Sequence, residues 1–155
     1  MDETTRQIID RITIQYDQPT EVRPNKVCTV YYDCTLLTPN ELSRLSALAL
    51  GGANINYDLI IPVSDYSILF AAAIAGSHPV TILKNKEVIG LNPKNKKILL
   101  VADVIHSGKE ITQGINRVNG LGGDIVALAC IIDRSNGNFK YGQLPLFSAL
   151  QTNLL

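Results

Sequence analysis

Two long apolar runs, "ILLVADVI" at 98–105 and "DIVALACIID" at 124–133, constrain the fold more than anything else in the chain. Neither alternates apolar with polar residues, so each must be covered on both faces, which is the situation of a strand in a parallel sheet sandwiched by helices. Between them, Ile111, Ile115 and Val118 recur at helical spacing over 110–119, and glycines at 120, 122 and 123 end that segment. A buried strand, a helix and a second buried strand define an α/β layer fold.

The rest of the chain extends this pattern. "YDLIIPV" (57–63) reads as a buried strand, "SILFAAAIA" (67–75) as a helix apolar enough to pack closely on a sheet and stopped by Gly76, "PVTIL" (79–83) as a further strand, and "LPLFSAL" (144–150) as a short terminal one. A polar connection, "KNKEVIGLNPKNKK", precedes residue 98. Upstream, Ile8, Ile9 and Ile12 predict a short amphipathic helix over 4–16, "DQPTEVRPNK" a polar linker, and "VCTVYYD" (27–33) an extended edge segment. Thr38-Pro39-Asn40-Glu41 has the form of a capping box with proline at the first helical position, with Leu42, Leu45 and Ala49 as the buried stripe and Gly51-Gly52 as the stop. The expectation is a single domain over residues 1–155, with a mostly parallel sheet of about five strands flanked by helices.

Bulk properties narrow the partners. The 14 lysines and arginines balance 14 acidic residues, so no long-range field favours nucleic acid or an anionic membrane, and any anion site must be local. No apolar run approaches the roughly 18 residues of a membrane span. Cys28, Cys34 and Cys130 are odd in number and lack the paired spacing of a zinc site, which suits reduced thiols in a cytoplasmic protein.

Ligands of open α/β sheets sit outside the carboxyl ends of the strands, which directs attention to 63–67, 102–110 and 133–138. The second of these carries the most chemistry. A strand, a short loop with Gly108 and a helix N-terminus bring several backbone N–H groups to one point, a recipe for holding phosphate, and Ser107 can add a hydroxyl. Asp103 would repel bare phosphate but suits ribose hydroxyls or hydrated magnesium. The same strand-Asp-Ser-Gly-helix pattern also occurs as a plain structural turn in α/β proteins, so spacing alone leaves both readings open.

"ILLVADVIHSG" resembles the 5-phosphoribosyl-1-pyrophosphate (PRPP) signature of type I phosphoribosyltransferases. "VCTVYYDCTLLTP", "DLIIPVSDYSILFAAAIA" and "IVALACIIDRSNG" resemble, in order, segments of the orotate phosphoribosyltransferase branch, and together the blocks cover roughly 26–150. The resemblance implies the type I phosphoribosyltransferase fold with a reduced hood, and a role in pyrimidine nucleotide synthesis. It implies Asp103 as the catalytic acid facing the ribose, with His106, Ser107, Gly108, Lys109 and Glu110 around the 5-phosphate. Ser64, Asp65, Tyr66 and Ser67 would form the pyrophosphate loop. It further implies PRPP or a nucleoside monophosphate as ligand, Mg2+ carried by PRPP, no nucleic acid or membrane partner, and a homodimer.

Four features depart from that pattern. Ala102 replaces the first acid of the signature; Tyr66-Ser67 stand where glycines are usual; Lys109-Glu110 replace small or hydroxyl residues; and the connection from Leu83 to Ile98 is a shortened catalytic loop. Lys84, Lys86, Lys94, Lys96 and Lys97 lie in that connection and read as surface charges. Tyr31 and Tyr32 alternate on a strand, which predicts one in the core and one outside, and His78 reads as a turn residue. Two functions follow: an orotate-like phosphoribosyltransferase whose turnover is weak, or a non-catalytic nucleotide- or phosphate-binding regulatory protein on the same fold.

Overall fold

The apolar runs assemble as their periodicity requires. In the computed structural model, which describes residues 1–152, β3 (Leu59–Pro62), β6 (Lys97–Ile105), β7 (Asp124–Asp133) and β8 (Leu146–Gln151) form a four-stranded parallel sheet in the order β3-β6-β7-β8. Helices cover both faces. Alternate residues divide between them: Ile60, Leu99, Val101, Ala127, Ala129 and Ile131 pack on one side, and Leu59, Ile61, Ile98, Leu100, Leu128 and Cys130 on the other. The first side is closed by α1 (Glu3–Ile12), α2 (Pro39–Leu50) and α3 (Ile68–Ala75), the second by α4 (Lys109–Gly120) through Ile111, Ile115 and Val118. The capping box on α2 forms as expected: Thr38 Oγ1 accepts from the Glu41 N–H and Glu41 accepts from the Thr38 N–H. Among the described residues no helix is long and apolar enough to cross a membrane.

The fifth strand is reduced. Of 79–83 only Val80 bridges β3, held by hydrogen bonds from the Ile60 N–H to Pro79 O and from the Thr81 N–H to Ile60 O. Beyond Thr81 the chain peels away into a separate hairpin, β4 (Ile82–Lys84) with β5 (Glu87–Ile89), turned by Asn85 in the left-handed region at φ 54°. The polar connection is therefore a small hairpin, and it is braced: Arg117 of α4 donates to the carbonyls of Leu83 and Asn85.

The largest departure from the sequence reading lies upstream. The helix ends at Ile12, and the supposed linker belongs to a hairpin of β1 (Thr13–Arg23) with β2 (Lys26–Tyr32). The register shifts between Gln15 and Thr20, around Pro19, because a proline cannot donate to the ladder and is tolerated at such an irregularity. A polar, bulged strand with a proline has none of the sequence marks of a strand. Asn25 at φ 62° makes the turn, with its N–H donated to Glu21.

Candidate functional site

At the carboxyl ends of β3 and β6 lies a cleft of about 570 Å³. One wall is the segment from Ala102 through Ile111, comprising the β6 end, the 106–108 loop and the first turn of α4. A second is the turn after β3, represented by Ser64 and Tyr66. The third is the tip of the β1–β2 hairpin, Arg23 to Val27. The four residues after Asp103's strand that resemble a phosphate loop, His106, Ser107, Gly108 and Lys109, line the cleft together with Glu110.

The loop is shaped by Gly108, which sits in the left-handed region at φ 78° as the residue preceding α4. Its α-carbon is approached by the Phe139 ring, with a β-carbon at this position falling 2.0 Å from Cδ2. The glycine thus serves the turn and admits an aromatic side chain. No side chain caps α4; Ser107 Oγ lies 3.4 Å from the Lys109 N–H, at the margin of a hydrogen bond. The first-turn N–H groups of a helix have no intrahelical acceptor, so this end of α4 carries donors toward the cleft. His106 is held below its ordinary pKa, first by burial and then by the positive charges of Arg134 and Lys26.

Asp103 is fully buried, lies beneath the cleft wall, and is bound by Arg23 Nη2 in a buried ion pair. Of the carboxylate expected to face a ribose, Oδ2 is bound to a guanidinium, while Oδ1 is buried without a hydrogen-bond partner. Arg23 Nε donates to Tyr31 Oη at 2.9 Å, and the guanidinium carbon lies 3.7 Å from the centre of the Tyr66 ring, within cation–π range. Burial works against the charged guanidinium, but the hydrogen bond and charge of Asp103, with the Tyr31 hydroxyl, outweigh it and raise the Arg23 pKa. Burial likewise pushes the Tyr31 hydroxyl up, with Arg23 opposing. Tyr31 and Tyr32 are both buried, against the expected alternation: the Arg23 guanidinium lies over the Tyr31 ring, 5.3 Å from its centre.

The turn after β3 divides its residues. Ser64 and Tyr66 line the cleft, whereas Ser67 is fully buried and Asp65 faces outward to Lys84 at 3.4 Å. Ser67 Oγ accepts from the Ser64 N–H and donates to the Ser64 carbonyl, which also accepts the Ser67 N–H. At the end of β7, Asp133 accepts from the N–H groups of Ser135 and Gly137 and so closes the 133–137 turn; Arg134 donates to Val30 O. His78 is a turn residue, its N–H on Ala75 O and its ring against Tyr57.

Sequence reasoning missed Arg23 and Lys26. An arginine beside Pro24-Asn25 in a polar stretch carries no local sign of burial, because its partner lies 80 positions away.

Magnesium held by protein carboxylates does not fit this site. Ala102 offers no ligand, Asp103 is buried outside the lining with Oδ2 on Arg23, Glu110 is the lone carboxylate in the lining, and the described residues contain no group of three His, Cys, Asp or Glu side chains arranged for a metal.

No model of a known protein family matches the sequence. Among curated proteins it is 25% identical to the orotate phosphoribosyltransferase of Carboxydothermus hydrogenoformans, over 80% of this chain and 71% of that one. It is also 25% identical to that of Novosphingobium aromaticivorans, over 74% of this chain and about half, 55%, of the relative. The fold superposes on the Aeropyrum pernix orotate phosphoribosyltransferase with a TM-score of 0.76 at 19% identity, covering 95% and 93% of the two chains. For the Mycobacterium tuberculosis orotate phosphoribosyltransferase in complex with PRPP the TM-score is 0.69 at 16% identity, covering 96% and 87%. With a four-stranded parallel sheet between helices and these relatives, the chain is a divergent relative of the orotate phosphoribosyltransferases on the type I phosphoribosyltransferase fold.

Proposed function

We propose that the chain binds a phosphorylated ribose, PRPP or a nucleoside monophosphate, in this cleft and transfers the phosphoribosyl group to a nucleobase, orotate. The observation that carries this reading is the uncapped start of α4 at the end of a buried parallel strand, facing a cleft that also holds Arg23. Lys26 and Lys109 add positive charge at the mouth. Asp103 acts through Arg23, as a positioning residue. Three free cysteines suit the cytoplasm.

Turnover is expected to be slow. An orotate-consuming assay with PRPP and Mg2+ should give a rate below the range of about 1–10³ per second common to enzymes, since Ala102 supplies no charge for a developing cation and the 83–98 connection is pinned rather than long enough to cover the site. The proposal is lost if neither PRPP, ribose 5-phosphate nor any nucleoside monophosphate binds.

A homodimer belongs to the same proposal. Helix α3 is apolar all round, and Leu69 on it and Leu48 on the adjoining α2 are 51% and 48% exposed, a surface suited to a second copy. Sedimentation equilibrium should show a dimer that Leu48→Glu with Leu69→Glu converts to monomer; an unaltered monomer would refute it.

A further inference from the structure

The end of β6 meets the end of β7 where three elements bring positive charge together. Ile105 pairs with Asp133 in the parallel ladder, and the Arg134 N–H donates to Ile105 O at 2.7 Å, so His106 and Arg134 leave the sheet side by side. Arg134 in turn donates to Val30 O of β2, which ties this corner to the hairpin whose tip carries Lys26. His106, Lys26 and Lys109 all line the cleft. The positive end of α4, without a side-chain cap, begins just beyond the loop at Lys109.

Three acids lie near. Asp103 is buried with Oδ2 on Arg23, Asp133 is buried and accepts from the Ser135 and Gly137 N–H groups, and Glu110 stands in the first turn of α4. The charges that act on the His106 ring are nonetheless both positive, those of Arg134 and Lys26. The imidazole is exposed and makes no hydrogen bond among the described residues. A ring so placed stays neutral in the empty cleft, because a proton on it would face two cations. An oxyanion seated against it reverses the sign: the negative charge offsets the two cations and gives an imidazolium a partner.

We infer that His106 is a proton-coupled contact of the cleft: as the oxyanion of the ligand seats, the imidazole takes a proton from solvent and holds that anion as imidazolium, so that binding strengthens as the pH falls. The inference rests on the reading of the cleft as a phosphoribose site and adds to it a residue that senses the ligand's charge. Linkage fixes the direction. With the His106 pKa higher in the complex than in the free protein, the added affinity is complete below the free value and is lost as the pH rises through the bound one. The oxyanion is the phosphate of the ribose or the carboxylate of the base, and the test separates the two.

The full chain has two histidines, His78 and His106, so their imidazole proton resonances can be followed by NMR from about pH 5 to about pH 8.5, with His106→Gln assigning the lines. The titration is run alone and with sulfate, ribose 5-phosphate, PRPP and orotate. Sulfate keeps its charge over this range, so any pH dependence of its binding belongs to the protein. Sulfate should raise the His106 pKa by about one unit and leave His78 where it is, and its affinity should rise about tenfold between the top and the bottom of the range. In His106→Gln, a change at an exposed position, the affinity should be flat. A shift with ribose 5-phosphate assigns the contact to phosphate, and a shift with orotate alone assigns it to the carboxylate of the base. If any of these ligands binds and none moves His106, or if His106→Gln keeps the pH dependence, the inference is overturned and the proposed function stands. If none of the four binds, both fall together.

Discussion

Asp103→Asn is expected to destabilise the protein by about 3–5 kcal/mol, the cost typical of removing one partner from a buried ion pair. For a domain of this size the melting temperature should fall on the order of 10 °C. The reason is the residue left behind: Arg23 is 6% exposed, its guanidinium already has one nitrogen without a partner, and asparagine presents a neutral oxygen where a full negative charge had been. Loss of nucleotide binding in this variant would accordingly report folding before it reported ligand contact. A double variant, Arg23→Met with Asp103→Leu, removes both charges and should recover at least half of the lost stability, since a buried pair is often matched by apolar residues of similar volume. Urea denaturation of the two single variants and the double closes the cycle. Strict additivity would show that the two side chains do not pair in solution.

Gly108→Val should be the second severe change, at about 2–5 kcal/mol. Two costs add. A branched residue in the left-handed region loses about 1–2 kcal/mol of backbone energy, and the added β-carbon falls 2.0 Å from the Phe139 ring, an overlap whose relief costs typically about 1–3 kcal/mol. They can be separated: in the background of Phe139→Ala, the Gly108→Val penalty should shrink by the packing part while the backbone part persists. A Gly108→Val protein within about 0.5 kcal/mol of the parent in urea would sink this account. Lost phosphate binding in this variant cannot by itself prove that the glycine touches a ligand.

The sheet was legible because its strands announce themselves. Eight of the nine residues of β6 are buried, and a run like "ILLVADVI" has no other comfortable home in a soluble α/β protein. The α2 capping box and the α4 stripe were equally plain, since both depend on residues within one or two turns. The hairpin β1–β2 was not legible, because polar strands bulged around Pro19 have no periodicity to read. The shift of 82–89 into its own hairpin depended on Thr81 and Asn85 making local choices that an apolar run of five does not reveal. In the site, the motif 106–110 located the cleft, while the fate of Asp103 did not follow from it: a carboxylate at a strand end looks the same in sequence whether a ligand or a distant arginine meets it.

That distant arginine also binds the two parts of the molecule into one unfolding unit. A hairpin at the edge of a domain ordinarily frays at little cost, held by its own ladder and a few contacts. Here, opening the tip of β1–β2 withdraws Arg23 from Asp103 and strands a carboxylate in the interior, so the penalty for local opening includes the desolvation of a charge rooted in the central strand of the sheet. Amide protons near Arg23 and Tyr31 are therefore expected to exchange with the core rather than with the surface loops, so that the amino-terminal hairpin opens only together with the parallel sheet.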